Sequence, residues 1–252
     1  MRAWRFARHR NTIPVMQPST DFFLITCEHG GNRIPSAYRY FFQDGAALLH
    51  SHRGYDAGAL RVARELARTL DGPLFACSVS RLLIELNRSP KHPRLYSEMT
   101  RAAPAGVRQE LFERYYLPYR TAVEERIARA NADGSRVIHI SSQSFTHELN
   151  GELRNADVGL LYDPARAAEA SLCRQWRSAL KETAPALKTR MNYPYAGTTD
   201  GFTVHLRRRF AGANYLGIEL ELNQKHVLES AAHWRAVRTA VIEALRDAVQ
   251  RA

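Results

Sequence analysis

Short apolar runs that stop at Gly, Pro or Asp alternate along the chain with longer segments whose apolar residues recur every three or four positions. The short runs predict buried strands, and the longer segments predict amphipathic helices. Strands are expected at residues 22–27, 73–80, 82–86, 136–143, 155–163 and 214–224. Helices are expected at residues 56–70, 106–131, 165–183 and about 229–250. Pro118 is expected to kink or break the second helix, because its ring removes a backbone donor.

Strands that alternate with helices over this length predict an α/β fold: a three-layer αβα sandwich around a mostly parallel or mixed sheet. The 252 residues are enough for one large core. We expect a basic N-terminal extension over residues 1–20, for which disorder is one expectation. A single domain is expected over residues 21–252.

The composition is ordinary for a soluble globular protein, with 45% apolar and 24% charged residues. No apolar run reaches the roughly 18 residues that a membrane-spanning helix needs. The first residues are basic but lack the apolar core of a signal peptide, so the cytoplasm is the expected compartment. Three widely spaced cysteines argue against a disulfide framework and predict reduced, partly buried thiols.

The net charge of +11 raises the question of nucleic-acid binding. Four of the positive charges are arginines within the first ten residues, and most others alternate with acids along predicted helices. The short basic run at residues 205–210 matches no known nucleic-acid-binding pattern. The charge therefore does not favour nucleic acid as the main partner, and the oligomeric state is not indicated by the sequence.

Polar motifs follow four of the predicted strands: "EHGGN", "NRS", "SSQSFTH" and "ELNQ". In open α/β sheets, ligands bind beyond the carboxyl ends of the strands. The coincidence of four such ends predicts a functional site at this edge of the sheet.

The first motif places His29 after a buried strand, beside two glycines that permit close backbone approach or positive φ. Its imidazole is either a metal ligand or a hydrogen-bonded group in a turn. Asp56 begins the next predicted helix, so its carboxylate is either an N-cap or a second metal ligand. Both interpretations remain open for each residue.

Arg81, Asn87 and Arg88 flank the run "LLIEL". A guanidinium beside a carboxamide is suited to bidentate recognition of a substrate carboxylate, whereas a surface ion pair is the alternative. Further along, Glu219 and Glu221 are two residues apart and therefore share one face of a strand. Buried carboxylates need partners, so either this face is exposed to solvent, or one glutamate is a general base for a metal-bound water and the other is held by an arginine or a backbone donor. The apolar residues before them favour the site.

His139 and Gln143 also share one face of their strand, and His147 follows in the loop. A single histidine inside a strand is more often a hydrogen-bonded core residue than a ligand, and this is the interpretation we favour for His139.

Taken together, "CEHGGNRIP", "YDAGA", "SRLLIELNRS", "SQSFTHELNGELRNADVGLLYDP", "NYPYAGTTDGFTVHLRRRF" and "YLGIELELNQ" resemble the N-formylglutamate amidohydrolase family. These segments cover about residues 21–225. The resemblance implies a phosphorylase/hydrolase-like domain related to zinc-dependent exopeptidases. It also implies cleavage of N-formylglutamate into formate and glutamate, typically in histidine degradation. "IELNRS" resembles a zinc carboxypeptidase segment whose Asn-Arg pair binds the terminal carboxylate of the substrate.

The resemblance implies a role for each matching residue. His29 matches the first zinc ligand, and Glu221 rather than Glu219 matches the catalytic glutamate. Asp56 is the expected second ligand, and Arg81 is expected to stabilise the oxyanion. Asn32 replaces a ligand glutamate of carboxypeptidases. The expected substrate contacts are Asn87, Arg88, Arg154, Asp200 and Arg207, with Asp157 as a further pocket residue.

The chain departs from the family pattern His-Ser-Phe-Thr-Pro, because it has Gln143 and His147 at the first and last of these positions. A carboxamide binds zinc far more weakly than imidazole does. Three outcomes are open: His147 or, less favoured by position, His139 supplies the nitrogen; zinc binds weakly through Gln143 or water; or the site is empty. The expected function is metal-dependent hydrolysis of an N-acyl amino acid. The alternative is a family member without catalysis that binds small carboxylates or another protein.

Overall fold

The computed structural model describes residues 21–212 and 214–251. Its strands are β1 (Asp21–Cys27), β2 (Leu74–Ala76), β3 (Arg136–Phe145), β4 (Glu148–Leu149), β5 (Glu152–Leu153), β6 (Val158–Leu161), β7 (Thr189–Met191) and β8 (Tyr215–Asn223). The expectation for residues 1–20 lies outside the described residues.

Helices cover much of the remaining chain. The α-helices are α1 (Ala46–Leu49), α2 (Ala59–Thr69), α3 (Ala105–Leu111), α4 (Leu117–Ala132), α5 (Ala167–Thr183), α6 (Phe202–Arg209) and α7 (Ala231–Gln250). Short 3-10 helices lie at Ser36–Phe42 and Gln224–Val227, and a π-helical turn lies at Phe112–Tyr116. No helix among residues 21–212 and 214–251 is long and apolar enough to cross a membrane.

Six strands form one mixed sheet in the order β2-β1-β3-β8-β6-β7, and β4 pairs with β5 in a separate hairpin. The four strands β2, β1, β3 and β8 run parallel, β6 is antiparallel to β8, and β7 is parallel to β6. Helices cover both faces. The predicted α/β sandwich with a mostly parallel or mixed sheet is therefore confirmed.

The two faces of the central strands differ in polarity. Ile138 and Ile140 of β3 and the even-numbered residues of β8 pack under α2, α5 and α7 in the main apolar cluster. The odd-numbered residues face α4 and α6, and this face carries buried polar side chains. They are His139, Ser141, Gln143, Glu219 and Glu221. Because side chains alternate between faces, one register fixes both the core and this polar row.

One local prediction is wrong. Residues 82–86 form turns rather than a strand, and their leucines and isoleucine pack in a second apolar cluster with Tyr38 and Tyr116. A short buried apolar run does not distinguish a strand from a buried loop. The helix expected at residues 106–131 exists, and the expected break near Pro118 is present: a π-helical turn interrupts the helix just before Pro118, which lies in the first turn of α4.

Arg207 was expected to contact substrate, but this residue of α6 is buried and bonded to protein groups. Its Nε donates to Glu169 Oε1 and Oε2 at 3.0 Å, and its Nη groups donate to the carbonyl oxygens of Gly197 and Gly217. Glu169, in α5, is fully buried. The pair therefore joins α5 and α6 to Gly217 of β8, and its position does not support substrate binding.

Replacing Glu169 by Gln is expected to lower the free energy of unfolding by about 3 kcal/mol or more, because it leaves a buried guanidinium uncompensated. Glu182→Gln is the matched control, since Glu182 is in the same helix, is 53% exposed, and pairs with Arg251. Its effect should stay below about 1 kcal/mol. Urea unfolding of both variants checks the difference, and equal losses of stability would contradict it.

Candidate functional site

The polar face of the sheet opens, at the carboxyl ends of β1, β3 and β8, into a cavity of about 880 Å³. Most of the residues predicted from the sequence line it. They are His29, Asp56, Arg81, Asn87, Arg88, Gln143, Arg154, Asp200, Glu219 and Glu221. His147 and Arg207 are not in the lining.

The turn after β1 places His29 at the cavity floor. A Cβ on Gly31 would lie 2.6 Å from the carbonyl oxygen of Ser78, so close backbone approach requires glycine there. Neither glycine of this turn has positive φ. Of the two explanations for the glycines, close approach is the one that the structure supports.

His29 is held at both ring nitrogens. Its Nδ1 lies 2.8 Å from Gln143 Oε1 and 3.3 Å from Asp56 Oδ2, and its Nε2 lies 2.5 Å from Glu85 Oε1. Each of these atoms is an oxygen acceptor, so each ring nitrogen donates a hydrogen bond. The ring is therefore an imidazolium in this arrangement.

The charges around His29 explain its protonation. Burial and Arg81 lower its pKa, but the carboxylates of Glu85 and Asp56 outweigh them and raise the pKa to about 10. Burial raises the pKa of the Glu85 carboxyl, whereas Arg81 and His29 hold it well below its usual range. The two groups thus stabilise each other in their charged forms.

Arg81 completes the charge balance. Its Nη1 lies 3.2 Å from Asp56 Oδ1, and its Nη2 lies 2.6 Å from Glu85 Oε2. Two cations therefore face two carboxylates. Asp56 does not cap α2, whose N-cap residue is Gly58 without a side-chain bond; its Oδ2 instead lies 3.3 Å from the backbone nitrogen of Ser144.

The carboxamide of Gln143 is oriented by groups that the sequence prediction missed. Its Nε2 donates to Glu28 Oε2 and to Ser141 Oγ, both at 2.9 Å. The same Glu28 carboxylate accepts from Ser141 Oγ at 2.8 Å and from the hydroxyl of Tyr119 at 3.0 Å. Gln143 Oε1 is thereby turned towards His29.

Glu28 and Glu85 left a signal in the sequence. Each is an acid inside or directly after an apolar run, "LITCEH" and "LLIEL". Both are buried, at 1% and 6% exposure. A carboxylate in such a run needs a cationic or donor partner in the fold, so it is a candidate for a site.

Glu221 and Glu219 extend from β8 on the cavity side, as predicted. Glu221 Oε2 is buried and has no hydrogen-bond partner among the described residues. Burial, with the charges of Asp56 and Glu219, raises the pKa of Glu221 well above its ordinary value. Glu219 is instead held by the hydroxyl of Thr203. The free oxygen makes Glu221 the group best placed to exchange a proton with a ligand.

Asn87 and Arg88 also line the cavity. Asn87 Oδ1 accepts the backbone N–H of Phe202 at 2.7 Å, while Arg88 donates to the carbonyl oxygen of Asp200. The Asp200 carboxylate accepts from the Ser89 backbone at 3.0 Å, so Asp200 positions this loop. Arg88 retains N–H groups beyond this bond for an anionic ligand.

Arg154 and His147 differ in position. Arg154 lines the cavity and donates to the hydroxyl of Tyr195 at 3.1 Å. His147 is exposed, and its Nδ1 lies 3.3 Å from Asn223 Nδ2. The structure does not bring His147 to His29, so its position does not support the predicted metal ligand.

Asp157 lies away from the cavity. Its Oδ1 is 2.8 Å from His226 Nε2 and 2.6 Å from Lys225 Nζ. It does not line the pocket to which the sequence assigned it.

His139 is a core residue, as favoured from the sequence. Its ring nitrogens lie 2.8 Å from Thr26 Oγ1 and 2.7 Å from the hydroxyl of Tyr215. Burial and the charge of Arg207 lower its pKa to about 3. It stays neutral, whereas His29, in the turn after β1, is charged.

The candidate ligands do not fit a zinc ion. A zinc ligand must offer a lone pair, but both nitrogens of His29 face acceptors and Gln143 Oε1 is engaged by His29. The carboxylates of Asp56 and Glu85 are already paired with Arg81. Within the described part of the chain, no group of three or more His, Cys, Asp or Glu residues is arranged to hold a metal.

Comparisons with known proteins agree with this architecture. The profile of the N-formylglutamate amidohydrolase family matches residues 22–228. A gene product of Agrobacterium tumefaciens has 26% identity and a TM-score of 0.77, covering 91% of this chain and 90% of its own. The N-formylglutamate amidohydrolase of Ralstonia eutropha has 16% identity and a TM-score of 0.68, covering 93% and 95%, a likeness of fold. No curated protein matches the chain.

His29 is expected to carry both ring protons at pH 8, because its pKa of about 10 lies above that pH. His139 is expected to stay neutral at pH 5, because its pKa is about 3. The imidazolium of His29 stabilises the fold fully below the unfolded pKa of about 6.5, and this contribution is lost as pH rises towards 10.

Long-range nitrogen–proton NMR of ¹⁵N-histidine protein measures both states, with His29→Gln and His139→Gln used for assignment. A neutral His29 ring at pH 8 would contradict the assignment of two donated hydrogen bonds from His29, one to Gln143 and one to Glu85.

Proposed function

The chain belongs to the N-formylglutamate amidohydrolase family, and from this premise we propose that it hydrolyses the amide bond of a small N-acyl amino acid. N-formylglutamate is the first substrate to test. The observation that carries the proposal is the unpartnered, buried Oε2 of Glu221 in a cavity that also holds Arg81 and Arg88.

The zinc ion that the family resemblance implies does not fit this donor set, and the proposed steps use only groups of the chain. Glu221, with its raised pKa, is a stronger base than an ordinary glutamate. In its ionised form it takes a proton from water as the water oxygen attacks the amide carbon. It then gives this proton to the amide nitrogen, and the C–N bond breaks to release a carboxylic acid and the amino acid.

Arg81 would stabilise the negative carbonyl oxygen formed during this attack. Its side chain is 26% exposed towards the cavity, and its guanidinium has five N–H groups, more than its contacts with Asp56 and Glu85 use. The remaining N–H groups provide a preorganised donor for the oxyanion.

The substrate carboxylate would bind at Arg88, with the amide of Asn87 and the guanidinium of Arg154 as further contacts. The carbonyl oxygen of Asn87 is used by Phe202, so its N–H₂ group is the part suited to an anion. Arg154 lies over the ring of Tyr195, which fixes its guanidinium at the cavity wall.

A second candidate is a carboxylate-binding protein without catalysis. Gln143 in place of the family histidine favours it, because the site lacks that imidazole. Both candidates predict binding of N-acyl amino acids, and only the enzyme predicts release of the free amino acid. Isothermal titration combined with amino-acid detection distinguishes them.

Glu221→Gln is expected to reduce kcat by at least about 100-fold, because it removes the proton-transfer group. Substrate binding should be kept, since the replacement is nearly isosteric. Glu229→Gln, an exposed glutamate after the same strand, is the control and should retain full activity. An active Glu221→Gln enzyme would refute this mechanism.

The pH profile gives an independent check of the same residue. Because the pKa of Glu221 is raised, kcat/KM should rise with pH through an apparent pKa above that of an ordinary glutamate. Residual activity of Glu221→Gln should lack this limb. An acid limb centred at the ordinary glutamate pKa would argue against Glu221 as the base.

Arg88→Met is expected to raise KM for N-formylglutamate by about 10-fold or more, since a charge-assisted hydrogen bond contributes about 1.5–3 kcal/mol. The KM for the analogue whose α-carboxylate is a carboxamide should change much less. Steady-state kinetics with both substrates test this. An equal rise of KM for both substrates would indicate that Arg88 supports the fold of its loop rather than the recognition of the carboxylate.

A further inference from the structure

The contacts of Gln143 reach beyond the proposed reaction. We infer that the centre around His29 is assembled without a divalent metal ion, because the side chain of Gln143 completes a set of protein hydrogen bonds around both nitrogens of the imidazole. The inference does not depend on amide hydrolysis, since it concerns the occupancy of the centre and is measured without substrate.

The first step of the argument is the use of donor atoms at His29. Gln143 Oε1 lies 2.8 Å from Nδ1, and Glu85 Oε1 lies 2.5 Å from Nε2 on the other side of the ring. Each ring nitrogen therefore faces a protein oxygen, and the two oxygens lie on opposite sides of the ring instead of converging on one point with it.

The second step is charge. The carboxylates that would attract a cation already have one, since Arg81 lies 3.2 Å from Asp56 and 2.6 Å from Glu85. Arg81 thus occupies one oxygen of each carboxylate. A divalent ion would have to displace these contacts and leave the Arg81 guanidinium without its partners, which is costly.

The third step is the fixed orientation of Gln143. Its Nε2 donates to Glu28 Oε2 and Ser141 Oγ. Turning the carboxamide over would place its oxygen against the Glu28 carboxylate, an acceptor against an acceptor. Glu28 therefore keeps the Gln143 oxygen directed at His29, and the hydrogen bond between Gln143 and His29 belongs to the stable arrangement.

The position of the Glu28 carboxylate indicates which substitution could create a metal site in this centre. Histidine ligands of metals usually donate their second ring N–H to a carboxylate, which fixes their orientation. Glu28 Oε2 lies 2.9 Å from the Gln143 side chain and already occupies such a position. Histidine at position 143 would release His29 from Gln143 and would itself be oriented by Glu28. We therefore expect Gln143→His to create a zinc site with His29 and Asp56.

The test compares zinc binding by chelator-treated wild-type protein and Gln143→His, using competition with a chromophoric chelator and metal analysis by mass spectrometry. Loss of a partner behind a metal ligand weakens binding by about 10–100-fold, so gain of the ligand itself should raise zinc affinity by at least about 100-fold. Wild-type protein, purified without chelator, should hold far less than one zinc ion per chain.

Two further variants make the comparison specific. Gln224→His introduces the same change at a neighbouring side chain that contacts Ser144 instead of His29, and it should not gain zinc affinity. Adding Glu28→Gln to Gln143→His should reduce the gain by about 10-fold or more. Circular dichroism confirms folding, and zinc should raise the Tm of Gln143→His only.

One tightly bound zinc ion per wild-type chain would overturn the inference, as would equal zinc affinity of Gln143→His and Gln224→His. If Gln143→His fails to fold, the wild-type stoichiometry alone decides. A wild-type zinc ion would leave amide hydrolysis possible, whereas absence of hydrolysis would leave the metal result unchanged, so the two failures are distinguishable.

Discussion

Buried polar groups must find partners inside the protein, and this requirement organises the polar face of the sheet. Ser141 and Gln143 on β3 stand in register with Glu219 and Glu221 on β8, under helices that exclude water from most of the row. An unpaired buried donor or acceptor costs about 1–3 kcal/mol, so the side chains along the row are held by one another and by the turns around them. The exception is Glu221, a cavity-lining residue whose Oε2 has no partner among the described residues.

The partners decide the charge of each histidine on this face. His139 lies between two hydroxyl groups and remains neutral, whereas His29 lies between a carboxamide and two carboxylates and is charged. Both rings are buried to a similar degree. Desolvation acts against the charged form in both, so the nearby carboxylates account for the difference.

Gln143 links the fold to the chemistry that the site can perform. The family implies an amidohydrolase, and the cavity is lined by Glu221, Arg81 and Arg88, for which we propose proton transfer, oxyanion stabilisation and carboxylate binding. At the position of the family histidine, the chain instead has a carboxamide that Glu28 turns onto His29. The cations of this centre are the Arg81 guanidinium and the protonated His29. Its proposed chemistry uses hydrogen bonding and proton transfer.

The sequence by itself determined the order of most strands and helices, the shared faces of His139 with Gln143 and of Glu219 with Glu221, and the edge of the sheet where the site lies. These features follow from local periodicity and from the positions of polar residues after apolar runs. It did not determine the turn at residues 82–86 or the positions of His147 and Arg207. The partners of His29, Gln143 and Asp56 come from segments up to 115 residues away in the chain. Only tertiary packing brings these together, and so only the structure decided which groups are charged, paired or free.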